Sequence, residues 1–131
     1  MDATKDLLEK AKTIAVVGLS PRPDRYSNIV ARYLMNAGYK VIPVNPMADE
    51  ILGMKSYASL LDVPEQIDIV DVFRRSEFTP QIVNEAAKIG ASVVWLQEGV
   101  SSNEAAKRAR AQDMRIIMDT CLMKEHKKAI G

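Results

Sequence analysis

Thr13-Ile14-Ala15-Val16-Val17-Gly18-Leu19-Ser20-Pro21-Arg22-Pro23-Asp24-Arg25-Tyr26-Ser27 decides how the rest of the 131-residue chain is read. Its first five residues are β-branched or small, with no polar alternation, as in a strand covered on both faces. Gly18 permits a tight turn and close approach. Ser20, Arg22, Arg25 and Ser27 follow where a nucleotide's phosphates would rest on backbone amides and a helix start. Only Gly18 is a glycine, so the stretch is not a G-x-G-x-x-G dinucleotide fingerprint. The plain alternative is a surface loop. On either reading Ser27 is expected to cap the helix that follows.

Four more short apolar runs, 40–44, 67–73, 92–96 and 115–118, carry the same signature. Helical faces lie between them. Leu7, Leu8 and Ala11 share one ahead of the first strand. Ile29, Val30, Tyr33, Leu34 and Ala37 share another, ended by Gly38. Thr79-Pro80 reads as an N-cap with proline at the first helical position, leading Ile82, Val83, Ala86 and Ala87 to a stop at Gly90. Ser101-Ser102-Asn103-Glu104 reads as a capping box between Ser101 and Glu104, followed by Ala105, Ala106 and Ala109. Residues 56–61 suggest a short helix stopped by Pro64. This alternation predicts one α/β domain over residues 1–131, a Rossmann-like, doubly wound, parallel five-stranded sheet with helices on both faces. Such a sheet binds ligands at the carboxyl ends of its strands.

Composition narrows the partners. Hydrophobic residues are 47% and charged residues 27%, an ordinary globular balance. With 18 basic against 17 acidic residues the net charge is +1, which offers no broad basic field for nucleic acid. Positive charge for an anionic ligand must therefore be concentrated locally. The single cysteine, Cys121, cannot form an internal disulfide and suits a reducing compartment. No apolar run approaches the roughly 20 residues of a membrane span. The charged start Met1-Asp2-Ala3-Thr4-Lys5-Asp6 is unlike a secretion signal, so a cytoplasmic protein with no membrane partner is expected.

The loops after the strands carry the chemistry. Pro43-Val44-Asn45-Pro46 puts neutral Asn45 where a dinucleotide-binding domain holds a carboxylate for the ribose, which weighs against NAD; an Asn-Pro turn is the plain alternative. Phe73-Arg74-Arg75 sets a ring and two guanidiniums at the same edge, where guanidinium matches phosphate oxygens. Phe73 in the core and solvated arginines are the alternative. Four arginines in two loops on one edge favour an anion site. Gln97, in Trp95-Leu96-Gln97-Glu98-Gly99-Val100, could read an amide or a base edge.

Ile14-Ala15-Val16-Val17-Gly18-Leu19-Ser20, Pro43-Val44-Asn45-Pro46, Val72-Phe73-Arg74-Arg75-Ser76, Val94-Trp95-Leu96-Gln97-Glu98-Gly99 and Met118-Asp119-Thr120-Cys121 together resemble the small CoA-binding protein family. That family is similar to the CoA-binding domain of the succinyl-CoA synthetase alpha subunit. The likeness runs from about Thr13 to about His126. It implies coenzyme A over the strand ends, with phosphates on Gly18, Leu19 and Ser20 and with Arg25 or Ser27 nearby. It implies the nucleotide against Val44, Asn45 and Pro46, and further contacts at Phe73, Arg74, Arg75 and Gln97. Coenzyme A carries about −4 at neutral pH, counting roughly −1.5 to −2 for its phosphate monoester. Arg22, Arg25, Arg74, Arg75 and a helix terminus could offset that. The resemblance covers only the CoA-binding part of the synthetase, so no phosphohistidine chemistry is expected.

No catalytic set is evident. Cys121 and His126 stand five residues apart, and a nucleophilic pair needs contact and an orienting third group. One Cys and one His do not make a metal site. A CoA-binding carrier, sensor or regulatory module without its own catalysis is expected, with a protein partner left open. Part of an acyl-CoA ligase acting with another chain, and an NAD(P)-binding domain, are the alternatives.

Overall fold

The computed structural model describes residues 3–131; the charged start at Met1-Asp2 lies outside them. In chain order the elements are α1 (Ala3–Lys10), β1 (Thr13–Val17), α2 (Tyr26–Asn36), β2 (Lys40–Val44), β3 (Glu50–Ile51), β4 (Met54–Lys55), β5 (Ile69–Val72), α3 (Thr79–Lys88), β6 (Val93–Leu96), α4 (Asn103–Ala111), β7 (Arg115–Ile117) and α5 (Leu122–Ala129). Five strands form one sheet in the order β2-β1-β5-β6-β7, every pair parallel. The chain runs outward from β1 to β2, then crosses to β5 on the other side of β1. The strand order therefore reverses between β1 and β5, and a crevice opens at their carboxyl ends. This is the expected Rossmann-like sheet.

Unbroken apolar strands make sense once both faces are covered. Ala15, Val17, Val70, Val72, Val94 and Leu96 face α3 and α4 and pack on Ile82, Val83, Ala86, Ala105 and Ala109. The alternate residues Ile14, Val16, Ile69, Val93 and Trp95 face the opposite cluster, with Leu8 of α1, Val30 and Leu34 of α2 and Leu122 of α5. Each fully buried Leu, Ile or Val is worth about 1.5–3 kcal/mol over an exposed one. Trp95 is also buried, and its indole N–H is satisfied by the Thr120 carbonyl at 2.8 Å.

Several local expectations need correction. The third strand is shorter than 67–73 because Asp68 turns its carboxylate onto the amides of Lys12 and Thr13. Ser27 does not cap α2: the helix already starts at Tyr26, and the Ser27 hydroxyl accepts the amide of Ser20 at 2.9 Å. Thr79 is not the cap of α3 either. A 3-10 turn, Ser76–Phe78, runs straight into the helix, so Thr79 is helical and donates its hydroxyl back to the Ser76 carbonyl. The cap of α4 is Ser102, whose hydroxyl accepts from Ala105 N at 3.0 Å, while Glu104 pairs with Arg108. The expected helix at 56–61 is a 3-10 turn at Leu60–Asp62, capped by Ser59.

His126 is buried on α5. Its Nδ1 lies 2.6 Å from the Tyr33 hydroxyl, and the rings of Tyr33 and Tyr39 meet it edge-on. A neutral ring can accept at Nδ1; an imidazolium has no acceptor nitrogen left. Burial holds the His126 pKa below its ordinary 6.5. The unfolded chain thus binds more protons below pH 6.5, and stability falls as pH drops through that value toward the lowered folded one. Thermal unfolding at pH 7.5 and pH 5 is expected to show this loss, with His126→Phe losing less between the two.

Candidate functional site

The turn after β1 is built against the turn after β5. Gly18 has φ +86°, and its N–H bonds the Val44 carbonyl at 2.9 Å. A Cβ there would lie 2.7 Å from the Phe73 carbonyl oxygen and 3.1 Å from Cδ of Arg74. Only glycine lets the two backbones approach this closely. Leu19 is buried, and its carbonyl accepts from Nδ2 of Asn45 at 2.9 Å. The other end of that amide, Oδ1, accepts the Met47 N–H at 2.8 Å. Asn45 thus staples the loop after β2 to the loop after β1 and presents no carboxylate.

Ser20 receives Nδ2 of Asn28 at its carbonyl and gives its N–H to Ser27, so the loop is drawn onto the first turn of α2. Arg25 occupies the cap position with no side-chain cap bond. The positive end of α2 therefore opens into a cleft of about 310 Å³ lined by Gly18, Ser20, Arg25, Tyr26, Ser27 and Phe73. The Phe73 ring is half-buried and meets Tyr26 edge-on at 6.4 Å.

A second cleft, about 200 Å³, lies on the α3 side of the same turn. Val17, Val44, Pro46, Leu60 and Ile82 give it apolar walls, and Arg74 stands at its mouth, stacked 4.6 Å above the Phe78 ring. The two clefts share the Gly18–Phe73 contact as their divider. Arg25 lines one, Arg74 lines the other, and neither is in an ion pair among the described residues. Arg75 lines neither cleft and reaches toward Glu77 at 3.8 Å, while Arg22 reaches toward Asp24 at 3.6 Å. A larger recess of about 350 Å³ follows the outer edge of β2 between Met35, Tyr39, Met54 and Tyr57. It has no helix start or arginine, and its Lys40 is tied to Glu65.

Gln97 turns inward. Its side chain is buried, and Nε2 donates to Oδ1 of Asp71 in the middle of the sheet. Cys121 is also buried, with its sulfur 2.8 Å from the Tyr26 hydroxyl. Lost hydration, that bond and the nearby Glu98 and Asp71 charges all raise the Tyr26 pKa. Cys121 bonds Tyr26 and His126 bonds Tyr33, so the two are not brought together as a pair. Among the described residues no three His, Cys, Asp or Glu side chains are grouped to hold a metal ion, and no helix is long and apolar enough to cross a membrane.

Three contributors escape a reading by motif. Tyr26 stands between Arg25 and Ser27 in the stretch after the first strand, where no motif singles it out. Phe78 reaches its cleft only through the 3-10 turn. Asp71 did leave a mark: it is the one charge inside the apolar run Ile69-Val70-Asp71-Val72-Phe73.

A family model described as the CoA binding domain matches residues 12–127. The chain belongs to the CoA binding domain family. Within it, the chain is 45% identical over 122 residues to the uncharacterized protein YneT of Bacillus subtilis, covering 93% of this chain and 90% of that one. A solved structure of a hypothetical protein from Pyrococcus horikoshii superposes with a TM-score of 0.95 at 43% identity, over 98% of this chain and 90% of that one. The CoA binding domain is also found in larger enzymes. The ADP-forming acetate–CoA ligase of Methanocaldococcus jannaschii is 29% identical over 119 residues, 85% of this chain but 17% of the ligase.

Proposed function

We propose that this chain binds coenzyme A across the two clefts and acts as a carrier, sensor or regulatory module without catalysis of its own. The observation that carries the reading is the divided site: an uncapped helix start beside Gly18 and Arg25, next to an apolar cleft guarded by Arg74. The pyrophosphate suits the first cleft, where backbone amides, the Ser20 and Ser27 region and Arg25 converge. The adenine suits the apolar second cleft between Val44, Pro46 and Ile82, with Arg74 placed for a phosphate on the ribose. Phe73 and Tyr26 offer a surface for the pantetheine arm. Asn45 acts by joining the two loops, while Gln97 is turned away from both clefts and holds Asp71 of β5.

NAD is disfavoured because the Asn45 amide is committed to Leu19 and Met47 and no carboxylate stands in its place. The ligase relatives favour a second reading, in which the chain supplies the CoA site to a thioester-forming partner. Alone, with acetate, ATP and coenzyme A, it is expected to release no ADP; turnover by the purified chain would overturn the non-catalytic reading.

The binding claim is tested by thermal unfolding with coenzyme A, acetyl-CoA, NAD, NADP and ATP. A ligand at a hundred times its dissociation constant adds about 2.7 kcal/mol, which lifts Tm by on the order of 10 °C in a chain of this size. Coenzyme A or its acetyl ester is expected to give the largest shift. A shift from NAD with none from coenzyme A would sink the reading.

A further inference from the structure

Asp71 sits at the centre of β5, paired in register with Val16 of β1 and Trp95 of β6. It is fully buried on the face covered by α2 and α5. Its Oδ1 receives the amide N–H of Gln97. Its other oxygen, Oδ2, and Oε1 of Gln97 are both buried and have no hydrogen-bond partner. Both are acceptors, and an ionised carboxylate facing an amide leaves both stranded. One proton on Oδ2, donated to Oε1, satisfies the two together and closes an acid–amide ring.

The surroundings favour that proton. β1 and β6 bring Val16 and Trp95, which carry no charge. On this side Tyr26 of α2, Cys121 at the start of α5 and Glu98 in the loop after β6 interact with one another, and none of them is a cation. Tyr33 of α2, Tyr39 and His126 of α5 also lie on this face, with burial holding the His126 pKa down. Lys124 of α5 is held by Glu98 at 2.8 Å. Burial drives the Asp71 pKa up to about 7, against the opposing pull of the Gln97 bond.

Gln97 is also the root of the loop that follows β6. Its N–H bonds the Val72 carbonyl and its own carbonyl accepts from Val100 at 2.9 Å. Gly99 N–H bonds the Asp119 carboxylate at 2.7 Å, Asp119 N–H bonds the Val100 carbonyl, and Thr120 N–H bonds the Leu96 carbonyl. Residues 97–100 and 119–120 are thus interlocked, and Cys121 then anchors Tyr26.

We propose that Asp71 and Gln97 form a one-proton clasp between β5 and β6 that locks these two loops and opens as the solution turns alkaline. Opening releases the Oδ2 proton to solvent and leaves a buried carboxylate against the lone-pair side of the amide. Asp71→Asn makes the closed clasp permanent, since its NH₂ donates to Oε1 whatever the pH.

The test needs no ligand, so it is independent of the coenzyme A reading. On the wild-type chain, the carboxyl ¹³C resonance of Asp71 is followed with pH, and amide exchange at Gly99, Val100, Asp119 and Thr120 is compared at pH 6 and 8.5 after correction for intrinsic rates. The resonance is expected to titrate near 7. Protection at the four amides is expected to drop about tenfold or more in the wild type and to hold within about twofold in Asp71→Asn. A carboxyl midpoint below about 5, or the same loss of protection in Asp71→Asn, overturns the clasp. The titration is read on the wild-type chain, so it decides the matter even where the variant does not fold.

Discussion

Gly18→Ala is expected to destabilise the protein by about 2–5 kcal/mol, combining roughly 1–2 for a side chain held at positive φ with roughly 1–3 for overpacking. The second part is specific to this position. The new Cβ would meet the backbone carbonyl of Phe73 at 2.7 Å, and a backbone atom cannot swing aside as a side-chain tip can. Relief requires β1 and β5 to separate at the divider between the clefts. Coenzyme A binding should therefore fall together with stability. Gly53→Ala is the control: its φ of +76° is similar, but nothing lies within 4 Å of a Cβ there. It should show only the conformational part and leave binding unchanged. Urea unfolding of both variants and titration with coenzyme A check this. Equal losses in the two would mean that the Gly18–Phe73 approach is not what requires glycine.

Arg74→Ala is expected to weaken coenzyme A binding by about 10- to 100-fold, the range for a hydrogen bond to a charged group at roughly 1.5–3 kcal/mol. It should also flatten the dependence of affinity on salt. Arg75→Ala should change affinity by less than about twofold, because an exposed pair such as Arg75–Glu77 contributes little. The contrast is sharp because the two residues are neighbours of the same type. In extended backbone, successive side chains leave on opposite sides. Here Arg74 stacks on Phe78 at the mouth of the apolar cleft, while Arg75 opens the 3-10 turn facing solvent. Calorimetric titration of the two single variants at low and high salt decides it. Equal effects would move the anion contact to the outer surface and away from the cleft.

The sheet was legible because its strands are buried on both faces. A run such as Ile14-Ala15-Val16-Val17 has no stable alternative to a covered strand, and the helical faces between the runs supply the cover. The hairpin of β3 and β4 was not legible. Its turn uses Leu52 at φ +55° beside Gly53, where an Asn-Gly or Asp-Gly signal would be usual. α5 does carry a sequence signal, since Leu122, His126 and Ala129 recur at helical spacing. Caps failed by single residues. Ser101 and Ser102 offer the same oxygen at adjacent registers, and Ser102 is used while Ser101 gives its N–H to Ser76.

The sequence by itself determined the parallel α/β architecture, the edge at which Gly18, Asn45, Phe73 and the arginines meet, and the family. Hydrophobic periodicity and strand-end position are local properties of a chain, so they can be read along it. Only the tertiary structure decided which of these side chains face the crevice. Arg25 and Arg74 line it; Arg22 and Arg75 turn to neighbouring carboxylates, and Gln97 turns into the core toward Asp71. A side chain's direction depends on partners distant in sequence. Gln97 and Asp71 are 26 residues apart, as are Asn45 and Leu19. No spacing rule along the chain reports contacts made across the sheet.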